Sequence, residues 1–208
     1  MTSFYDALET RAPAEREAAH LAALPTQVAH ARTHSSAFAA ILAGVDPALV
    51  TSRAALARLP VTPKHELLER QQAERSHDVF GGFATVGFGA AMPRVFASPG
   101  PIYEPEGTRR DYWRMARAMH AAGFQAGELI HNCFSYHFVP AGSMMESGAH
   151  ALGCTVFPGG TGQTEQQVQA MADLRPAGYI GTTSFLKLIV EKAQEMRVPL
   201  PRVTKALL

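Results

Sequence analysis

The residues best able to do chemistry lie in three short segments that recur along the second half of the chain. The first is SYHFVPAG (135–142), where Tyr136 and His137 are polar-tipped side chains suited to a cleft. His137 could serve as a general acid or base, or could position a carboxylate; it could equally be a half-buried histidine satisfied by backbone. The second is GGTGQTE (159–165). Its glycines let backbone N–H groups approach an anion at a helix N-terminus, while Thr161 or Thr164 could equally be an ordinary N-cap with Glu165 in the first turn. The third is the turn Thr182-Thr183-Ser184. His131, Cys133 and His137 raise the question of a metal, with positions 131 and 133 on one face of a strand. No Cys-x-x-Cys or His-Glu-x-x-His accompanies them, and burial is the usual fate of a free thiol, so no metal is assigned. A Walker loop and a Gly-x-Ser-x-Gly nucleophile elbow are both absent.

Each segment follows an apolar run and opens an amphipathic one. LIHNCF (129–134), CTVFP (154–158) and GYIGTT (178–183) read as buried strands. Helices are expected from Gly142 to Leu152, closed by Gly153, from the glycine-rich turn to about Leu174, and from Ser184 to Met196. Strands alternating with helices of this length form parallel βαβ units with right-handed crossovers. Ligands of such sheets sit beyond the carboxyl ends of the strands, so the loops after Phe134, Phe157 and Thr182 are the candidate site. RVTKALL (202–208) reads as the approach to a fourth strand whose continuation is expected to be missing, since a parallel sheet normally has both faces covered.

Upstream, the spacing predicts an α-helical lead-in over 1–79 and an α/β portion over 80–208. A helix over 10–34 should break or restart at Pro25, Phe38 to Leu42 should continue an apolar face, and Thr51 or Ser52 should cap a short helix. Thr62-Pro63 should open another over KHELLERQQ, with Leu67 and Leu68 buried. RVFAS (94–98) has a strand's composition, SPGPIYEPEG (98–107) reads as a turn-rich loop, and Arg109–Ala122 as a helix. Arg110, Arg114 and Arg117 would then share a face, either solvated or set against an anionic ligand.

The totals exclude several classes. With 19 Lys+Arg against 18 Asp+Glu, a formal charge of +1 gives no basic surface for a nucleic-acid polymer. No apolar run approaches a membrane span, the opening MTSFYDALET is not a signal peptide, and two cysteines form no disulfide framework. A reduced, cytoplasmic setting is the simplest reading.

Against this background the chain resembles the amino-terminal half of the phenylacetate–CoA ligase family, a branch of the acyl-adenylate-forming ligases. FYDALETR and LARLPVTPKHELL resemble that family's lead-in helices. The most specific stretch is ESGAHALGCTVFPGGTGQTEQQVQAMADLRPAGYIGTTSFL (146–186), where a glycine-rich turn, Gln-Thr-Glu and a helix precede an Arg-Pro. The resemblance implies an incomplete adenylate-forming-ligase large domain: a mostly parallel sheet with helices on both faces. It implies activation of a carboxylic acid of aromatic type with ATP and Mg²⁺, transfer to coenzyme A, and a place in aromatic catabolism. Tyr136 would line the aryl pocket with His137 beside it, and Gly159, Gly160 and Thr161 would lie near the acyl-adenylate. Ser98, Gly100, Thr182 and Ser184 would fall on the nucleotide side.

Three departures accompany the match. The family's phosphate loop should follow RVFAS, where this chain reads Ser98-Pro99-Gly100-Pro101-Ile102, and prolines lack the N–H donors of a phosphate cradle. The family's Thr-Pro-Ser turn reads Thr182-Thr183-Ser184. The Tyr-Gly-x-Thr-Glu motif, the ribose-binding aspartate and the small carboxy-terminal domain are not present, which implies a chain incomplete for catalysis by itself. Two other readings stand beside it: a non-catalytic acyl- or nucleotide-binding module, and an interaction fragment pairing through its carboxy-terminal edge strand or as a homodimer.

Overall fold

A computed structural model describes residues 4–208, so the first three residues of the opening segment discussed above lie outside the described residues. The chain forms two compact units, residues 1–108 and 109–208.

In the first unit, α1 (Pro13–His34) runs through Pro25 without the expected break. A helical proline forfeits one backbone hydrogen bond. Here Leu24 and Val28, on either side of it, pack with Phe38, Leu42 and Val50, and that burial outweighs the local loss. Ser35 caps α2 (Ser36–Ile41), its hydroxyl accepting from the Phe38 N–H at 3.1 Å, and Ser52 caps α3 (Arg53–Leu56). In α4 (Lys64–Glu74) Leu67 and Leu68 are half-buried, and the buried residue is instead Gln71. Its side-chain amide donates to the Tyr103 carbonyl and accepts from the Tyr103 N–H, both at 2.9 Å.

That pairing shows why the loop expected over 98–107 is half strand. β1 (Arg94–Ser98) and β2 (Ile102–Glu106) form an antiparallel hairpin in which Ser98 opposes Ile102. Pro105 is tolerated because β2 has no second ladder partner in this two-stranded sheet, and Gln71 supplies the outer contacts at Tyr103.

The second unit carries the parallel sheet. Its first helix is shorter than expected: α5 spans only Ala116–Ala121. Asp111 and Arg114 adopt left-handed backbone at φ 50° and 60°, and the Asp111 carboxylate accepts from the Met115 N–H at 2.8 Å. A local side-chain bond of this kind competes with continued helix. Arg110, Arg114 and Arg117 therefore share no helical face. After α5 come β3 (Leu129–Asn132), α6 (Ala141–Leu152), β4 (Thr155–Phe157), α7 (Thr164–Leu174), β5 (Gly178–Ile180), α8 (Thr183–Met196) and β6 (Lys205–Leu207). The order across the sheet is β4-β3-β5-β6, every pair parallel.

Both faces are covered, as alternation along the strands requires. Ile130 and Ile180 pack with Met119, Phe124 and Ala149 from α5, α6 and the turn between α5 and β3. Tyr179 and Cys133 pack oppositely, with Val168, Met171, Ile189 and Ala193 from α7 and α8. The connection leaving β3 thus crosses one face and the connection leaving β5 crosses the other. Neighbouring strands whose crossovers diverge in this way open a crevice at their carboxyl ends.

Candidate functional site

The crevice is built from three loops. After β3, the Asn132 side chain holds the turn: its Oδ1 accepts from the Phe134 N–H at 3.1 Å, and its Nδ2 donates to the Gly142 carbonyl at 2.9 Å and the Tyr136 phenol at 2.8 Å. The Tyr136 ring lies against two glycines. A Cβ on Gly142 would come within 2.8 Å of the ring, and one on Gly160 within 3.8 Å. Glycine at 142 is therefore required for the close approach of α6 to the ring. Burial, reinforced by the Glu146 carboxylate, pushes the Tyr136 phenol well above its ordinary pKa, so it stays protonated.

After β4, the glycine-rich turn is fastened to β3 by Gln167, a residue that motif reading did not single out. Gln167 Nε2 donates to the carbonyls of Gly159 at 2.8 Å and of Gly160 and Gly162 at 3.3 Å. Its Oε1 is then the acceptor, and His131 Nε2 donates to it at 2.6 Å. This fixes the His131 tautomer. The ring is fully buried, stacked on Phe157 with centroids 5.0 Å apart, and its Nδ1 has no hydrogen-bond partner among the described residues. Burial, partly offset by the Gln167 bond, lowers the His131 pKa below the ordinary histidine value, so the ring is neutral at pH 7. Cys133 shares this face, its thiol 3.9 Å from Gln167 Oε1, and burial pushes it up to about 12.

Two of the N–H groups in the turn are already engaged. The Gly159 N–H donates to Phe157 and the Gly160 N–H to Asn132, whose carbonyls lie 3.0 Å away. Neither Thr161 nor Thr164 caps α7. Gln163 occupies that position in left-handed backbone without a side-chain cap, while Thr161 is exposed. The turn lines a shallow hollow of about 240 Å³ with Phe157, Pro158, Gln163 and Gln166.

After β5, Gly181 passes so close to Cys133 and Tyr179 that a Cβ would lie 3.0 Å from one and 2.4 Å from the other. Thr182 caps α8, accepting from the Phe185 N–H at 3.3 Å, and the Ser184 hydroxyl donates to it at 3.2 Å. Tyr136, Gly159 and Gly160 are thus brought together, with Thr161 at the rim. Thr182 and Ser184 occupy the corresponding loop of the neighbouring strand. His137 is exposed, its main chain bracketed by the Ser135 hydroxyl at 3.1 and 3.3 Å. Ser98 and Gly100 belong to the first unit, at the hairpin turn, where Pro99 and Pro101 leave Gly100 as the one N–H between Ser98 and Ile102. Among the described residues no three His, Cys, Asp or Glu side chains converge to hold a metal.

Comparison with known proteins places this geometry. The phenylacetate–coenzyme A ligase of Aromatoleum evansii is 32% identical over 162 residues, which are 74% of this chain and 35% of that enzyme. That of Thermus thermophilus is 33% identical over 163 residues, with 75% and 35% covered. Among solved structures, 2-hydroxyisobutyryl-CoA ligase with 2-HIB-AMP and CoA superposes in an open conformation with a TM-score of 0.79 at 27% identity, over 89% of this chain and 41% of that one. Its thioesterification state gives 0.80 at 26% identity, over 91% and 42%. No family model matches the chain. The chain spans about a third of the length of the curated relatives it matches. The sequence relatives and the solved structures agree: over most of its length the chain is similar to a part of the phenylacetate–CoA ligases and shares the fold of a part of an acid–CoA ligase of the adenylate-forming type.

Proposed function

We propose that the chain forms the acid-binding part of an ATP-dependent acid–CoA ligase, and that the acyl group is received where the Tyr136 ring meets the glycine-rich turn, at the carboxyl ends of β3 and β4. The observation that carries this reading is the Tyr136 ring between Gly142 and Gly160, which gives a planar substituent an apolar wall. In the reaction a carboxylate oxygen displaces pyrophosphate from the α-phosphorus of ATP, and the CoA sulfur then displaces AMP from the acyl carbon. AMP is the better leaving group, which is why the acid is first adenylated. The contribution of these residues is positioning and dryness. The protonated Tyr136 phenol and the neutral His131 carry no charge themselves, the Glu146 carboxylate acts on the phenol, and Gln167 fastens the turn to β3. His137 and Thr161 sit at the exposed rim, Thr182 and Ser184 on the nucleotide side, and Ser98 and Gly100 enter through the family match alone. Mg²⁺ would arrive with the nucleotide, and no step here runs through it.

A cytoplasmic setting belongs to the same reading, supported by two free, buried cysteines. β6 is an outer strand of its sheet and the place where a second copy would pair, with a shift to dimer mass in size-exclusion chromatography as its sign.

The test is calorimetric titration of the chain with a non-hydrolysable phenylacetyl-adenylate analogue, beside ATP–pyrophosphate exchange with a panel of aryl acids. Saturable binding that falls at least tenfold in Tyr136→Ala supports the reading. Absence of binding to phenylacetyl and shorter acyl analogues alike overturns it, and the exchange assay separates catalysis from binding alone.

A further inference from the structure

Asn132, the last residue of β3, joins the pieces of the wall that the proposed function sets against the acyl group. The residue is buried, at 1% exposure. Its Nδ2 donates to the Tyr136 phenol at 2.8 Å and to the Gly142 carbonyl at 2.9 Å, and its Oδ1 accepts from the Phe134 N–H at 3.1 Å. Only this orientation of the amide serves both main-chain partners. The flipped one would set oxygen against the Gly142 carbonyl and N–H against the Phe134 N–H. The Asn132 main-chain carbonyl accepts from the Gly160 N–H at 3.0 Å. One residue thus registers the Tyr136 ring, the start of α6 and the glycine-rich turn against each other.

The same bonds decide what the wall offers a ligand. Both Nδ2 hydrogens are used inside the protein. The phenol oxygen accepts one of them, and its own proton is drawn to the Glu146 carboxylate, which can only accept. Gly142 and Gly160, on either side of the ring, add no polar side chain. A hydroxyl on a bound ring would leave water and meet groups that are already paired. A pocket of this kind discriminates against an added hydroxyl by about a hundredfold at most.

We infer that Asn132 is a positioning residue for acid selection: it withdraws the Tyr136 hydroxyl from the ligand, so that the chain takes acyl groups whose ring carries no polar substituent. This role rests on the acyl group lying against Tyr136, as proposed above. The probes are a non-hydrolysable phenylacetyl-adenylate analogue and its 3- and 4-hydroxyphenylacetyl counterparts, titrated calorimetrically into the full chain. The parent should bind the unsubstituted analogue about tenfold more tightly than either counterpart. In Asn132→Ala the freed phenol can pair with a ligand hydroxyl, so the preference should narrow severalfold for at least one counterpart. Damage to packing alone would weaken all three analogues and leave the ratio as it was. Tyr136→Phe removes only the hydroxyl and should keep the parent's ratio; it decides the matter if Asn132→Ala does not fold. Without ligand, the ¹³Cζ resonance of Tyr136, assigned by its loss in Tyr136→Phe, should move in folded Asn132→Ala. A parent that binds none of the three analogues overturns the proposed function and this role with it. Equal binding of all three by the parent overturns this role alone and leaves the proposed function standing. So does a ratio or a Tyr136 resonance unchanged in folded Asn132→Ala, or a ratio altered in Tyr136→Phe.

Discussion

Replacing Gln167 with alanine should destabilise the second unit far more than an ordinary polar substitution on a helix. The Gln167 side chain makes two short hydrogen bonds, at 2.6 Å from His131 and 2.8 Å to Gly159. Each contributes on the order of 1 kcal/mol net. Truncation also strands the His131 Nε2–H inside the protein, beside an Nδ1 that already lacks a partner, at a cost of roughly 1–2 kcal/mol. The Gly159 carbonyl is half-buried and recovers part of its loss through water. The sum is about 3 kcal/mol. The assay is urea unfolding followed by tryptophan fluorescence, because the single tryptophan, Trp113, lies in the second unit. With an m-value of about 1.5 kcal/mol/M for a unit of this size, the midpoint should fall by about 2 M. Gln169→Ala is the control. It sits on the same helix, is exposed, and bonds only Asp173 at 2.9 Å, so its effect should stay within about 0.5 kcal/mol. A Gln167→Ala shift no larger than that of the control would refute the claim that this amide fastens the turn to the sheet.

Two further outcomes concern titration. Because the folded pKa of His131 lies below its ordinary value, the unfolded chain binds the extra proton first as pH falls. The stabilisation is therefore complete above about pH 6.5 and diminishes on acidification through the folded pKa, by up to about 1.4 kcal/mol per pH unit. Urea midpoints between pH 7.5 and 5 should show this slope, and His131→Asn should flatten it; an equal slope in the variant would count against a buried neutral ring. Cys133, pushed up to about 12 by burial, should resist iodoacetamide at pH 8 in the native chain and react on unfolding, as followed by mass spectrometry. Rapid native alkylation at that position would contradict its placement under Gly181. The same raised pKa makes Cys133 a destabilising group as pH climbs above the unfolded thiol value toward 12.

The order of strands and helices after residue 128 was legible because each apolar run is short, rich in β-branched or aromatic residues, and followed by turn chemistry. β3, β4, β5 and their helices lie within a few residues of where the pattern puts them. Three other segments were not legible, each for a nameable reason. Pro25 reads as a breaker, yet the packing of Leu24 and Val28 carries α1 through it. IYEPE reads as a loop because Pro105 and two glutamates depress strand propensity, but Gln71, distant in sequence, completes the pairing. The helical spacing of Arg110, Arg114 and Arg117 is real in the sequence and absent from the fold, because the Asp111 carboxylate takes the N–H groups that a longer helix would use. Of the site, Tyr136 and the glycine-rich turn came from pattern and resemblance. Gln167 left one local signal: a polar residue abutting the buried Val168 and Met171 of its helix.

That signal also changes what the glycines of 159–162 are for. In a phosphate-binding turn, glycines let N–H groups face outward toward an anion. Here the N–H groups of Gly159 and Gly160 are spent on Phe157 and Asn132, and three carbonyls turn toward Gln167. The lack of a side chain matters because a Cβ on Gly159 would sit 2.5 Å from Gln167 Oε1 and 3.1 Å from His131 Nε2, breaking the bond that orients both. The turn is thus a wall pressed flat onto the sheet, with the Tyr136 ring as its neighbour, and its chemistry is that of shape. An acyl group requires such a surface, whereas the phosphates of a nucleotide require donors and charge. Under the proposed function, the selection of the acid would fall to Tyr136, Gly142 and Gly160, and the N–H groups of Gly159 and Gly160 would take no part in stabilising the phosphates.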